Sequence, residues 1–493
     1  MKDTILKTAT PESVGIPSNV IADYISYLLE RGVNLHSILI MRGGKICAEA
    51  YSEPYSEETV QRIYSCSKSV TSIAVGLLIG EGKINLNDRI SDYFPENLPE
   101  NLHEWVKDIR IKDTLMMSNA FTCTHHNPAA MPWVKQFFHS EPTHPPRTQF
   151  IYDTAGSHVL CALVEKLTGM TMLEYLRSKL SPLGLSEDAW CIKGTDGYSW
   201  GGSGVIMTLR DMTKLLMLVK DGGSFGGVQL LPKDYAKEAI EYQNFNDPET
   251  KGLRWDVGYG YQIWRMQQGG FAFRGMGSQH AVCFPEKDLI VCCTSDNQGT
   301  EIWDRLFFEG IYEKLLPALT QPLEEDEKAY ENLKKVSAAL KMPVVSGACE
   351  SSLTDDINGV VYELKANPME ISQLSFDFTK DGGVLHYVTP RGEKEIPFGY
   401  GKPVSYSFPE THYYGEQIGV PSGKGYPAHT SGAWKNDKTL VLRTHTSGIH
   451  LGNITMTFGF DEDKIGIKMH KTAEWFFEEY TGLAGGKKRG GQL

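Results

Sequence analysis

"YSCSKSV", residues 64–70, sets a serine three positions ahead of a lysine, and the apolar run Ile73-Ala74-Val75-Gly76-Leu77-Leu78-Ile79 follows at once. Ser-x-x-Lys alone is a common spacing. Context gives it weight: residues 65–80 have the length and apolar content of a buried helix, and Glu81-Gly82 is a helix stop. Ser65 then stands at the helix N-terminus. There its own N–H has no intrahelical partner, and the positive end of the helix dipole favours a developing oxyanion. Lys68 lies one turn further on the same face. An apolar, dipole-positive setting pushes a lysine toward the neutral amine, the form that can take a proton from a serine hydroxyl. The stretch reads as a nucleophile and its base on one buried helix.

The chain around it has 493 residues, too many for one small core, so two or three domains are expected. With 49 Lys plus Arg against 61 Asp plus Glu, the net charge of −12 argues against a nucleic-acid or anionic-membrane partner and favours a small neutral or cationic ligand. Nine scattered cysteines without a CxxC pair indicate neither a disulfide framework nor a zinc cluster, and a reducing compartment is the simpler expectation. "MKDTILKTATPESVG" has no apolar core of signal-peptide length and no apolar run of membrane-spanning length follows, so a cytoplasmic location is expected.

Upstream, a helix is expected near residues 17–31, and "HSILIMRGGKICAEAY" alternates two apolar strands around Arg42-Gly43-Gly44-Lys45, a hairpin signal. Residues 60–250 read as mostly helical. "YGYQIWRM", "HAVCFP" and "LIVCCTS" then read as three strands, separated by Gln267-Gln268-Gly269-Gly270 and Pro285-Glu286-Lys287-Asp288. Strands at both ends of a helical insert predict one antiparallel sheet assembled from distant segments with helices packed on it, an α/β (α+β) domain. The charged stretch "EEDEKAYENLKKVSAAL" reads as a helical connector. Beyond it "LSFDF", "VLHYV", "TLVLRT", "ITMTFGF" and "KIGIKMH" alternate apolar with polar residues, broken by turns such as Asp381-Gly382 and Asn436-Asp437, and predict an all-β antiparallel barrel or sandwich. The expected boundaries are 1–320 for the first domain, 321–345 for the linker, 346–483 for the barrel and 484–493 for a disordered tail.

Two further stretches complete a constellation. "FIYDTAGSHVLCALVEKLTG" puts Tyr152 in a loop just before another apolar helix, where it can act as a second proton carrier beside Lys68. In "FRGMGSQHAV", Gly275, Gly277 and Ser278 open a strand, and glycines there let an acyl group lie against the backbone while an N–H reaches its oxygen. Each alone has a plain structural reading, a packing tyrosine and a tight turn.

Together the three elements resemble the serine β-lactamase and penicillin-binding-protein superfamily, in particular its class C-like esterases and D-aminopeptidases. That family carries Ser-x-x-Lys, then Tyr-x-Asn, then Lys-Thr-Gly or a variant. Here they stand as Ser65-Cys66-Ser67-Lys68, Tyr152-Asp153-Thr154 and Gly275-Met276-Gly277. The landmarks "TPESVGIPS", "IRIKDTLMMSNAF" and "GGSGVIMTLRDMTKLL" extend the resemblance over residues 8–318. It implies a β-lactamase/transpeptidase-like fold, Ser65 as acylated nucleophile, Lys68 and Tyr152 as general-base pair, the N–H groups of Ser65 and Ser278 as oxyanion hole, and no cofactor. Thr154, Gly277, Ser278, Arg274 and His280 are the substrate-binding candidates. The C-terminal strands resemble the lipocalin-like barrels appended to some of these hydrolases, which leaves capping of the site, apolar-group binding and homo-oligomer formation open as roles.

The departures narrow the substrate. Thr154 replaces the family's amide, and Gly275 replaces the Lys or His that holds a carboxylate in β-lactamases and D-Ala-D-Ala peptidases, a task only Arg274 or His280 could take over here. An ester, amide or short peptide without that carboxylate is the expected substrate. A true β-lactamase or carboxypeptidase, and a non-catalytic sensor retaining the fold, remain as alternatives. A rival nucleophile, Ser199 in Gly197-Tyr198-Ser199-Trp200-Gly201, matches the G-x-S-x-G elbow, but Gly201-Gly202-Ser203-Gly204 follows instead of a helix. The next helix is expected near Thr208, with Thr208 and Asp211 as a capping arrangement. The adjacent pair His125-His126 reads as loop or cleft lining rather than a metal site.

Overall fold

Gly43 and Gly44 both adopt positive φ, 61° and 68°, the backbone that a tight two-residue hairpin demands and that glycine adopts without steric cost. They join the two longest strands at the N-terminal side of the main sheet. The computed structural model describes residues 5–122, 131–245, 253–410, 425–474 and 476–490, and its chain divides into two compact units, Met1–Met342 and Pro343–Leu493. His125 and His126 lie outside the described residues.

In the first unit, strands β1 (Lys7–Thr8), β2 (Leu35–Arg42), β3 (Lys45–Tyr51), β4 (Asp256–Tyr259), β5 (Trp264–Met266), β6 (Phe271–Gly275), β7 (Gln279–Phe284) and β8 (Leu289–Ser295) form one sheet. Their order is β1-β3-β2-β8-β7-β6-β5-β4, antiparallel except for β1 on β3. The sheet is therefore built from both ends of the unit, with β8 pairing β2 across some 250 residues of sequence.

Alternation along these strands divides the core in two. Leu39, Met41, Phe271, Phe273, Ala281, Cys283, Ile290 and Cys292 face a cluster that contains α2 (Cys66–Gly80), α3 (Thr154–Thr168) and α4 (Leu209–Lys220). Their neighbours Ile38, Ile40, Ala272, Val282, Phe284, Leu289, Val291 and Cys293 face the opposite cluster, which contains α1 (Ser18–Glu30), α5 (Ile302–Gly310) and Leu333 of α6 (Glu327–Ala338). Both faces are covered, which is why β8 is buried throughout and reads as a continuous apolar run. The helix α2 is buried on nearly all sides from Cys66 to Leu78, as an apolar helix at the centre of a domain must be.

Four expectations need correction. "YGYQIWRM" is not one strand: β4 ends at Tyr259 and β5 begins at Trp264, paired as a hairpin around Gln262 at φ 60°. An aromatic-rich stretch hides that turn because its turn residue is a glutamine rather than a glycine. A further strand, β6, runs into the third motif, so Gly275 ends one strand instead of opening the next. The charged helix α6 belongs to the first unit, holding Leu333 and Leu340 against α1 and the sheet. The glycine-rich C-terminus is a strand up to Lys488.

In the second unit the strands β9 (Tyr362–Leu364), β10 (Gln373–Thr379), β11 (Gly382–Thr389), β12 (Gly392–Tyr400), β13 (Val404–Ser407), β14 (Pro427–Asn436), β15 (Thr439–Thr446), β16 (Gly452–Asp461), β17 (Lys464–Ala473) and β18 (Gly482–Lys488) run in the order β12-β11-β10-β9-β18-β17-β16-β15-β14-β13. A parallel pairing of β12 with β14, Gly399 opposite Ser431 and Tyr400 opposite Gly432, closes nine of them into a barrel. The tail is needed for closure because β18 bridges β9 and β17 through its backbone, a task for which side chains are dispensable. Leu374, Phe376, Leu385, Ile396, Leu442, Ile454, Met456 and Phe458 are all buried in this unit. Among the described residues no helix is long and apolar enough to cross a membrane.

Candidate active site

Ser65 sits at the N-cap of α2, immediately after Tyr64, whose φ of 46° is a left-handed backbone that a tyrosine rarely adopts. The buried Arg62, whose guanidinium lies 4.2 Å over the Tyr64 ring and bonds Ser203 through its Nε and Nη2, clamps that conformation. One turn into α2, Lys68 is 1% exposed. Its Nζ donates to Ser65 Oγ at 3.0 Å and to the Gly202 carbonyl at 2.6 Å. The Tyr152 ring centroid is 4.8 Å from the same Nζ. The three residues of the first two motifs are thus brought together around one lysine nitrogen.

Tyr152 is held from the other side by Trp264, stacked on it at 5.6 Å, with Tyr259 edge-on to both rings. Behind it Asp153 caps α3, accepting from the N–H groups of Ala155 and Gly156 at 2.8 and 3.2 Å and from Asn119 Nδ2 at 3.0 Å. Asn119 lies in "IRIKDTLMMSNAF", where no local pattern marks it as a site residue. Gln262 ties the same region together: its amide donates to the Thr114 carbonyl, its Oε1 accepts from Ser157 of α3, and its carbonyl accepts from Ser69 of α2. Thr154 packs on the turn that receives Lys68, since a Cβ on Gly202 would come within 2.7 Å of Thr154 Cγ2 and of its carbonyl oxygen.

The third motif closes the site against Ser65. A Cβ on Gly275 would lie 2.3 Å from the Ile63 carbonyl oxygen and 3.2 Å from the Ser65 nitrogen, so the backbone here leaves no room for any side chain. Gly277 and Ser278 have φ of 77° and 65°. The Gln279 amide braces this turn by donating to the carbonyls of Met276, Gly277 and Ser295 at 3.1, 3.2 and 2.6 Å. Among the described residues neither the Ser65 nor the Ser278 N–H is engaged by a turn or loop carbonyl.

Arg274 and His280, named as the cations that could replace one at Gly275, are both turned onto carboxylates. Arg274 Nη1 meets the two carboxylate oxygens of Asp256 at 3.0 and 2.9 Å and its guanidinium covers the Trp264 ring at 4.8 Å. His280 is fully buried, with Nε2 3.0 Å from Asp304 Oδ1 and its ring against Phe307 and Phe308. The strand alternation explains the latter: in β7, Gln279 faces the site and its neighbour His280 faces the other layer. Asp304, in the first turn of α5, also accepts from Ser278 Oγ at 2.6 Å. Burial alone would raise its carboxyl, but His280, then Arg274 and the Ser278 hydroxyl, hold it down to about 2.

Ser199 is placed differently. It is 2% exposed, its N–H is bound by Glu165 Oε2 at 3.2 Å, and the next helix, α4, begins only after Thr208, which caps it by accepting from the Asp211 N–H at 3.0 Å. The glycines that follow serve α2 instead. The carbonyls of Gly201 and Gly202 accept from Thr71 and Lys68.

Known proteins resemble this chain in sequence and in fold. The chain is 23% identical over 284 residues to a 6-aminohexanoate-dimer hydrolase of Paenarthrobacter ureafaciens, covering 52% of this chain and 71% of that one. A penicillin-binding protein homologue from Caulobacter crescentus shares the fold at a TM-score of 0.50 with 15% identity, over 60% of this chain and 97% of that one. An octameric penicillin-binding protein homologue from Pyrococcus abyssi aligns over 94% of this chain and 99% of its own at 14% identity and a TM-score of 0.48. The beta-lactamase family model matches residues 21–302, which contain all three motifs, and the chain belongs to that family.

Proposed function

We propose that this protein is a serine hydrolase that forms an acyl-enzyme on Ser65 and cleaves an ester or amide of a small substrate lacking a free carboxylate next to the scissile bond. The observation that carries the proposal is the 3.0 Å contact from a buried lysine nitrogen to Ser65 Oγ, with the Tyr152 ring beside that nitrogen. Ser65 Oγ attacks the carbonyl carbon while the Lys68–Tyr152 pair takes its proton. The carbonyl oxygen, now an oxyanion, is received by the N–H groups of Ser65 and Ser278 at the positive end of α2. The Tyr152 side of the pair returns the proton to the leaving group, and a water molecule, deprotonated by the same pair, releases the acid and regenerates Ser65. Every step uses groups of this chain and water.

The absent carboxylate follows from the third motif. Gly275 has no room for a side chain, and Arg274 and His280 are committed to Asp256 and Asp304. The relative named for hydrolysing a 6-aminohexanoate dimer supports a small amide as one substrate class. The sensor reading draws on Thr154 and Gly275 standing where polar substrate-holding groups are usual, and the assembled Ser65, Lys68 and Tyr152 weigh against it, since a binder has no need of all three.

A fluorophosphonate probe with a panel of p-nitrophenyl esters separates the readings. The wild type and Ser199→Ala are expected to be labelled and to turn over esters, and Ser65→Ala to do neither. Labelling that survives in Ser65→Ala and disappears in a folded Ser199→Ala would overturn the assignment, and an unlabelled wild type would favour the sensor.

A further inference from the structure

Ser278 is one of ten non-glycine residues at positive φ among the described residues, at 65°, where a residue with a Cβ is held by its surroundings. What holds it is a carboxylate from a distant element. Asp304, on α5, accepts from Ser278 Oγ at 2.6 Å, and the same Oδ1 lies 3.0 Å from His280 Nε2. Ser278 and His280 flank Gln279 on one strand entry, so Asp304 holds the side chains on both sides of the residue that braces the turn from within. Ser278 itself is 3% exposed, which leaves its hydroxyl little freedom to find water instead.

We infer that Asp304 is a positioning residue for the oxyanion hole: by fixing the Ser278 hydroxyl it fixes the left-handed turn that aims the Ser278 N–H at the reacting carbonyl oxygen. The inference rests on the acyl-enzyme reading above and goes beyond it in assigning a role on the reverse side of the sheet from Ser65. The reason such a residue matters is geometric. An oxyanion donor works only when it is already pointed at the position the oxyanion will occupy, and a serine at positive φ relaxes toward ordinary backbone when its side chain is released. Asp304 does not touch substrate. Its effect is confined to the transition state, because a ground-state carbonyl gains far less from that N–H than a tetrahedral oxyanion does.

The test uses the full chain with three variants, Ser278→Ala, Asp304→Asn and the double variant, read by kcat and KM on p-nitrophenyl acetate, by the inhibition constant of phenylboronic acid, whose tetrahedral adduct with Ser65 places an oxygen in the hole, and by thermal melting. Each single variant is expected to lower kcat ten- to a hundredfold with KM within about twofold, less than the hundred- to thousandfold loss from deleting an oxyanion donor outright. Boronate affinity falls by the same factor as kcat. The double variant is expected to be no worse than the poorer single, because both act on one contact. Ser278→Ala removes only a hydroxyl, so it decides the matter even where Asp304→Asn does not fold. Unchanged kcat and boronate affinity in a folded Ser278→Ala overturn the inference, as do equal losses in kcat and thermal stability that add in the double variant. A wild type that fluorophosphonate fails to label at Ser65 removes the acyl-enzyme reading itself, whereas a labelled wild type with an unaffected Ser278→Ala removes this inference alone.

Discussion

Two corners of the site each hold buried basic side chains, and they use them in opposite ways. At one, Lys68 is aimed at a hydroxyl and a carbonyl, Ser65 Oγ and Gly202 O, with the Tyr152 ring alongside. At the other, Arg274 and His280 are each turned onto a carboxylate, Asp256 and Asp304. In the proposed mechanism the first arrangement sets a lysine nitrogen against the hydroxyl whose proton it takes. The second pairs its basic side chains with carboxylates inside the protein and leaves the Gly275 backbone and the Trp264 ring at the site. The difference teaches that a cation's partner, not its presence near a nucleophile, decides whether it serves chemistry, substrate or architecture.

The largest effect that separates the corners is expected in stability. Arg274 is 13% exposed and Asp256 fully buried at the side chain, and removing one partner of a buried pair costs about 3–5 kcal/mol. Asp256 keeps the Leu253 N–H at 2.8 Å, so Arg274→Met is expected near the lower end, about 3 kcal/mol by urea unfolding. Lys68→Met keeps the volume but leaves the Gly202 carbonyl without its donor, and is expected to cost about 1–2 kcal/mol, less than the arginine change. The reverse order would mean that the lysine is the architectural cation and the arginine the available one.

In activity the order inverts. Lys68→Ala and Tyr152→Phe are each expected to lower kcat/KM about a hundredfold or more, the scale of lost general-base help, and the double variant to fall short of the product because both groups act on one proton. Near-normal turnover in both single variants would dissolve the proposed base pair. Full multiplicativity would assign them to separate steps.

How much of this was legible in the sequence follows the same division. Ser65, Lys68 and Tyr152 were readable because a 15-residue apolar helix carries two of them one turn apart and the third opens another such helix. The sheet was readable in outline because strands covered on both faces are continuous apolar runs. The second corner was readable as a glycine pattern only. Asp304 lies 26 residues beyond Ser278 on a helix of the opposite layer, and nothing in local periodicity marks a single acid in "EIWDRLFF" as a ligand of the strand entry. Arg274 and His280 were visible as cations, but their partners come from β4 and α5, and only the fold shows that strand alternation turns His280 away. Asn119 and Gln262 stayed hidden for a similar reason: each works by bonding elements distant in sequence.

A smaller effect should appear in acid. With its carboxyl held down to about 2 against an ordinary 3.8, Asp304 stays ionised when folded at pH values where the unfolded chain takes up its proton. A depressed carboxyl contributes stability that is fully present above the unfolded value and is lost as pH falls through the folded one. The contribution is about 2 kcal/mol. The difference in unfolding free energy between wild type and Asp304→Asn should therefore be constant above about pH 5 and shrink between about pH 4 and pH 2. A difference that stays flat, or grows in acid, would show that the carboxylate is not held by His280, Arg274 and Ser278 as a charged group.

The smallest expected effect is the one that speaks to substrate. If the second corner offers no cation to a ligand, an amide with a methylated carboxylate should be hydrolysed better than the same amide with the acid free. A carboxylate brought against a wall without a charged donor gives up water with no partner in return, which costs about 1–3 kcal/mol, whereas a methyl ester gives up far less. The expected preference is about tenfold in kcat/KM, the lower end of that desolvation cost. Arg274→Ala is the control, because a guanidinium locked on Asp256 and Trp264 contributes little to either substrate, and the ratio of the two rates should survive the substitution. A preference for the free acid that Arg274→Ala or His280→Ala abolishes would mean that substrate draws one of these cations off its carboxylate. The second corner would then be a carboxylate site, and the protein would belong on the carboxypeptidase side of its family.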